Sequence, residues 1–167
     1  MSDKNISFRW TYIVLPAAIL LLSIILAACF YGLLPPEAAY HFADGTPDRW
    51  MSRGALIAWL VIPQFVLVLA AIAVTSSTTI LSTRFLQGES TPIRKLLSIM
   101  GNMVALPQII LAFAMLDIFL YNAYRIHLIP LWVFALIVIV LGSIILGIFF
   151  IRTLKQFRGQ PDKSLKE

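Results

Sequence analysis

Leu34-Pro-Pro-Glu-Ala-Ala-Tyr-His-Phe-Ala-Asp-Gly-Thr-Pro-Asp-Arg-Trp-Met-Ser-Arg53 is the polar interruption that decides how this chain is organised. It holds three acids, two arginines, His41, three prolines and Gly45, and it lies between two long apolar runs. A passive connector between two helices needs only a few polar residues and a turn. Here aromatic and charged residues alternate closely, and Gly and Ser do not dominate as they would in a flexible tether. Pro35 and Pro36 stop the preceding helix, because proline lacks an amide donor and restrains the residue before it. Asp44-Gly45 and Thr46-Pro47-Asp48 are turn chemistry, with Gly45 free to take positive φ. The stretch reads as a compact, ordered loop.

Outward from it, the composition is that of a membrane protein. Hydrophobic residues make up 60% of the 167 and charged residues 13%, against about a quarter charged in soluble domains. Thr11–Leu34, Ala55–Leu81, Leu96–Leu120 and Leu131–Ile151 are apolar blocks, each with the ~20 residues needed to cross a ~30 Å hydrocarbon core. The expected fold is one all-α integral membrane domain, a four-transmembrane-helix bundle with an ordered extracytoplasmic loop (35–54) between helices 1 and 2. A middle loop (82–95), a second outer loop (121–130) and a basic tail (152–167) complete it. In the middle loop Gln87-Gly88 is turn-prone, and Ser90-Thr91-Pro92 suits a helix start. Gly159-Gln160-Pro161-Asp162 would break the tail.

Lys and Arg set the orientation. Ten of them fall in the N-terminal lead, the middle loop and the tail, and three (Arg49, Arg53, Arg125) fall on the other side. Both termini are therefore expected in the cytoplasm, and the 35–54 loop outside. The formal charge of +5 is first a topology signal; the tail is too short to form a basic folded surface for nucleic acid. One cysteine excludes an intrachain disulfide and a cysteine metal cluster. Leu26-Ala27-Ala28-Cys29 also matches a bacterial lipoprotein processing box. The apolar run continues past it to Leu34, longer than a signal h-region, so Cys29 is expected to be uncleaved and buried.

Within the interruption, Leu34, Pro35, His41, Phe42, Gly45, Pro47, Asp48, Trp50 and Ser52 form the pattern Leu-Pro, His-Phe, Gly-x-Pro-Asp-x-Trp, Ser and a basic residue. This resembles the N-terminal signature domain of SdpI-type bacterial membrane proteins over roughly the first half of the chain. Arg53 stands at a position where that pattern has lysine, and Ala39-Tyr40 replace a proline before the His-Phe pair. The resemblance implies a protein of the kind that gives immunity against a secreted toxic peptide coupled to signalling.

Inside the apolar blocks, Ile62-Pro63-Gln64 and Leu106-Pro107-Gln108 fall at comparable depth in helices 2 and 3. The flanking matches would fit a trace of an inverted repeat, as transporters carry. The plainer reading is two kinked helices whose amide side chains bond carbonyls that proline frees. Gly101, Ala105, Gln108 and Ala112 make one stripe and Gln64, Ala71, Thr75 and Thr78 another, which would seat helices 2 and 3 together; Ser143 and Gly147 offer helix 4 a small-residue pair. Trp50, Trp59 and Tyr40 suit an aromatic belt.

Asp117 is the one carboxylate within an apolar block, about a turn below the outer surface, where it must pair or reach water. The expected role is a salt bridge clamping the 35–54 loop to helix 3, through Arg49, Arg53, Arg125, His41 or His127; a proton or ion role is the alternative. Asp117 sits about 180° around the helix from Gln108. His41, Asp44, Asp48 and His127 are weak candidates for a mixed metal site, without the spacing that marks one. No nucleophile triad, nucleotide loop or glycine-rich phosphate loop is present, and no cofactor is expected. The expected function is non-enzymatic: sensing, immunity or partner binding through the outer loop, with His41, Asp48, Trp50 and Arg53 contacting an extracytoplasmic peptide or membrane protein. The alternatives are a small proton- or ion-coupled transporter and an accessory membrane subunit of a larger complex.

Overall fold

The computed structural model describes residues 10–43, 45–85 and 98–158. It is mostly helical. A 3-10 turn (Trp10–Tyr12) leads into α1 (Val14–Phe30), then strands β1 (Glu37–Ala43) and β2 (Thr46–Ser52), and helices α2 (Arg53–Phe85), α3 (Ala105–Tyr124) and α4 (Leu131–Arg158). Among the described residues three stretches are long and apolar enough to cross a membrane: Arg53–Ser77, Ser98–Tyr124 and Leu131–Arg152. The shorter apolar helix α1 has 17 residues, a rise of about 25 Å.

The all-α expectation is corrected at the polar interruption, which is an antiparallel β-hairpin. Alternation is too weak there to announce strands: Ala38 and Ala39 are poor strand formers, though Tyr40, Phe42, Thr46 and Trp50 favour them. Ala43 pairs with Thr46 across a two-residue turn in which Gly45 has φ +76°, the backbone region hairpin turns demand of their glycine. Asp44, the other turn residue, lies outside the described residues. Ser52 ends β2 and Arg53 begins α2 without a linker. The Ser52 hydroxyl accepts from the Ala55 amide at 3.4 Å, a cap on the first orphan donors of α2. The Arg53 amide donates to the Pro36 carbonyl at 3.0 Å and closes the hairpin base.

Two clusters form the core. Ala27, Leu34, Ala38, Leu56, Leu60, Met115 and Phe119 join α1, the hairpin, α2 and α3 at one end. Tyr12, Ile13 and Ala71 pack at the other. α1 lies against both α2 and α3, burying Pro16, Ser23 and Ala27. Cys29 is on the opposite, exposed face, which corrects the expected burial: at 100° per residue it falls far from the inward Ser23 and Ala27.

α4 leans on α3. The rings of Phe113 and Phe134 stack at 3.8 Å, and Gly142 lets the Leu106 side chain lie against its backbone. The small-residue pair expected of helix 4 is therefore displaced by one residue: Ser143 and Gly147 are exposed and Gly142 is buried. Leu136, Ile139, Ile144 and Ile148 are also exposed. So wide an apolar surface would aggregate in water and is ordinary in a bilayer. Of the helix 2 and helix 3 stripes, Gln64, Ala71, Thr75, Ala105 and Gln108 are buried. Gly101 meets the Tyr12 carbonyl so closely that a Cβ there would sit 2.2 Å from it. The Thr78 side chain, the middle-loop turn and cap at 87–92 and the Gly159–Asp162 break lie outside what is described.

Residues 98–103 are helical, and a turn at Val104 separates them from α3. Pro107 accounts for the break, since the amide it lacks is the one that would bond Met103. Pro63 is carried inside α2 without interruption.

Candidate functional site

The hairpin and the end of the bundle beneath it contain most of the residues singled out from the sequence. The ladder has an extra residue on each strand. Ala39 faces Trp50 and His41 faces Arg49, so Tyr40 is unpaired; Phe42 then faces Pro47, so Asp48 is unpaired. Such bulges re-aim side chains. Tyr40 turns onto Trp59 of α2, with ring centroids 6.3 Å apart. Asp48 meets His41, Nδ1 to Oδ1 at 2.6 Å. The hydrogen bond from His41 holds the Asp48 carboxyl below the usual carboxylate range, opposed by some desolvation and assisted by the His41 and Arg49 charges. Both side chains reach solvent, at 55% and 39% exposure. Trp50 is 54% exposed, so an amphipathic ring and a hydrogen-bonded acid–imidazole pair share one hairpin.

Arg53 turns back onto the end of α1 instead. Its guanidinium donates to the Tyr31 carbonyl at 3.3 Å and lies 4.5 Å from the Tyr31 ring centroid. It thereby supplies the carbonyl cap and positive charge that the C-terminus of α1 lacks. The remaining motif residues are structural in placement. Leu34 is buried in the core, Pro35 and Pro47 are half-buried, and Gly45 makes the turn. Phe42 stands edge-on to both Tyr121 (4.6 Å) and His127 (4.7 Å).

Of the partners expected for Asp117, the structure gives it His127, which in turn touches Phe42 of the hairpin, and not Arg49, Arg53, Arg125 or His41. The Asp117 carboxylate accepts the Leu128 amide at 2.8 Å and meets His127 Nδ1 at 3.1 Å. It thus ties down the loop after α3. The chain turns sharply there, with Arg125 in the left-handed region at φ 61°, and that brings residues 127 and 128 back over the last turns of α3. His127 is stacked on Tyr121 at 4.5 Å. The four weak metal candidates divide accordingly: His41 with Asp48, His127 with Asp117's loop, and Asp44 beyond the described residues. Among the described residues no three of His, Cys, Asp and Glu form a metal-binding group.

The residue that fastens the hairpin is Asn122, which the sequence reading passed over. Its Oδ1 accepts the Ala39 amide at 2.8 Å, and its Nδ2 donates to the carbonyls of Ala39 and Ile118, both at 2.8 Å. A side-chain amide thus occupies the outer edge of β1 as another strand would, closing an edge that would otherwise be open. Asn102 does the same for α1. Its Oδ1 accepts the Leu15 amide at 3.1 Å, and its Nδ2 reaches the carbonyls of Thr11 (3.2 Å) and Ser98 (2.8 Å). The signal available in the sequence was an uncharged amide near each margin of an apolar block.

Between these two lies a third polar contact. The Ser23 hydroxyl donates to Gln64 Oε1 at 2.7 Å, Gln64 Nε2 donates to the Leu60 carbonyl at 3.3 Å, and Gln108 Nε2 donates to the Gln64 carbonyl at 3.1 Å. The two Pro-Gln pairs do meet, and they draw in α1 as well. Gln108 Oε1 is buried without a hydrogen-bond donor among the described residues.

A family model described as a domain of unknown function, DUF1648, matches residues 18–63. The match covers a little over a quarter of the chain: most of α1, the whole hairpin, and α2 as far as Pro63. The domain is one associated with membrane proteins, in agreement with the three membrane-length helices. No curated protein and no solved structure matches the chain.

Proposed function

We infer that this is a non-enzymatic membrane protein of the SdpI type, whose hairpin receives an extracytoplasmic peptide or the exposed segment of another membrane protein. In this reading α1 also crosses the bilayer, giving four spans with both termini in the cytoplasm, and the hairpin stands outside. The placement of Lys and Arg supports the orientation. The observation that carries the reading is the construction of the hairpin. It is anchored from behind by Asn122, Phe42 and Arg53, while Trp50 and the His41–Asp48 pair are left exposed in front. Side chains held in place before contact lose little entropy on binding, and an exposed tryptophan is a frequent anchor of such contacts. Arg53 belongs to the support, so the recognition set narrows to His41, Asp48 and Trp50.

A photo-crosslinking residue at position 50, in native membranes, tests this. The expected result is a discrete protein adduct that disappears in His41→Ala/Asp48→Ala. An adduct pattern matching that from Ile139, an exposed position on α4, would mean that position 50 meets only lipid and would overturn the reading. So would a protein adduct that survives the double substitution.

A further inference from the structure

α3 and α4 are in contact at Phe113–Phe134 and at Leu106–Gly142, and beside the Gly142 contact lies a groove. The groove has a volume of about 460 Å³ and is walled by Ile99, Met103 and Leu106 on one side and Ile145, Leu146 and Phe149 on the other, with Leu15 of α1 also lining it. Its walls are almost wholly apolar, so inside a bilayer it needs a hydrocarbon occupant. Its size bears on which one. A helix about 10 Å across would displace roughly this volume in a single turn, so the groove suits a slender chain better than a further helix.

The end of the groove identifies the chemistry. Gly142, Ile145 and Phe149 follow one face of α4, and the next residue on that face is Arg152, seven positions beyond Ile145 and within about 20° of its direction. Arg152 is exposed. A guanidinium one turn beyond the last apolar wall residue is where a lipid phosphate sits when its acyl chain lies along the wall, and arginine pairs with phosphate through a two-pronged fork. We propose that the groove is a binding site for one anionic phospholipid, an acyl chain between α3 and α4 and the headgroup phosphate on Arg152. A second copy of the chain fits less well. Two parallel copies meeting at this face would bring both Arg152 residues to the same depth, with like charges opposed.

Native mass spectrometry of the full chain, with phosphatidylglycerol or phosphatidylcholine added to the detergent-solubilised protein, tests this. Wild type should retain a single phosphatidylglycerol in preference to phosphatidylcholine by about fivefold, the weight of one arginine at an anionic surface. Arg152→Gln should abolish the preference while leaving some retention of both lipids. Ile145→Trp, which fills the groove, should abolish retention of both, and Ile144→Trp on the opposite face should leave it intact. Equal retention of the two lipids by wild type, or retention unchanged in Ile145→Trp, would overturn the proposal. A dimer that crosslinks through Ile145→Cys with no lipid bound would overturn it also and make a second copy the occupant.

Discussion

Asn102 and Asn122 stand on the same helical stretch, about 30 Å apart along it, and each uses its side-chain amide as a surrogate peptide group. Asn102 satisfies the Leu15 amide and the Thr11 carbonyl where α1 begins. Asn122 satisfies both main-chain groups of Ala39 where the hairpin begins to rise. Their separation is about the thickness of a hydrocarbon core. The N-terminal third of the chain is therefore fastened to the Ser98–Tyr124 stretch near its two ends, where backbone groups leave regular structure.

Asn122→Ala should strip the Ala39 amide and carbonyl of their partners together. An unsatisfied buried polar group costs about 1–3 kcal/mol, so the loss should be about 2–4 kcal/mol. It should appear locally, as faster hydrogen exchange of the β1 amides before any change in α2 or α4. Asn122→Leu should behave likewise, because the deficit lies in the backbone groups left behind.

The polar contact in the middle of the bundle should respond asymmetrically. Gln108→Leu loses one interhelical hydrogen bond, worth about 0.6 kcal/mol on average within membranes, and also removes the donorless Oε1. Its unfolding midpoint in mixed micelles should stay within about 1 kcal/mol of wild type. Gln64→Leu removes the acceptor of Ser23 and the amide on Leu60, and should cost more than Gln108→Leu in the same assay. The reverse order would mean that Gln108, not Gln64, centres the network.

Glycine substitutions should rank by what a methyl group would meet. At Gly101 it collides with the backbone carbonyl of Tyr12, which cannot step aside; at Gly142 it meets the Leu106 side chain, which can; at Gly147 it meets nothing. Gly101→Ala should cost about 2–3 kcal/mol and Gly142→Ala about 1, whereas Gly147→Ala should be neutral or gain up to about 1 kcal/mol of helix propensity. Thermal unfolding of the three variants in one detergent checks the order.

Acid should loosen the hairpin front late. The Asp48 carboxyl titrates below its ordinary range because His41 bonds to it. Its contribution is complete above the unfolded value of about 3.9 and is lost as pH falls through the lower folded value. Fluorescence of a variant retaining only Trp50 should show an acid transition below about pH 4. Asp48→Asn should lack that transition.

Much of the helical architecture was legible because its cause is local: a bilayer demands about twenty apolar residues per span, and the chain displays them in blocks. The position of the hairpin was legible from Pro35, Pro36 and Gly45, but its strands were not. Their pairing depends on Asn122, some eighty residues away, and Ala38 and Ala39 are buried by tertiary contact rather than by any alternation. His127 was among the partners expected of Asp117, but the fold-back that brings it there was not legible, for a similar reason. An arginine in the left-handed region at position 125 folds the next residues back, and nothing in the composition announces that turn. Gly142 was overlooked because a spacing of four favoured Ser143 and Gly147, while the actual contact depends on where Leu106 lies.

The absence of any spacer between Ser52 and Arg53 has a mechanical consequence. A β-hairpin welded to a helix has no slack at the joint, so a load applied at Trp50 rotates or tilts α2 as a rigid lever. The lever is long: 33 residues amount to about 50 Å, some 20 Å more than a hydrocarbon core. With the Gln64 contact as pivot, the far arm of α2 is about twice the near one, so a displacement at the hairpin would arrive roughly doubled at the other end of the helix.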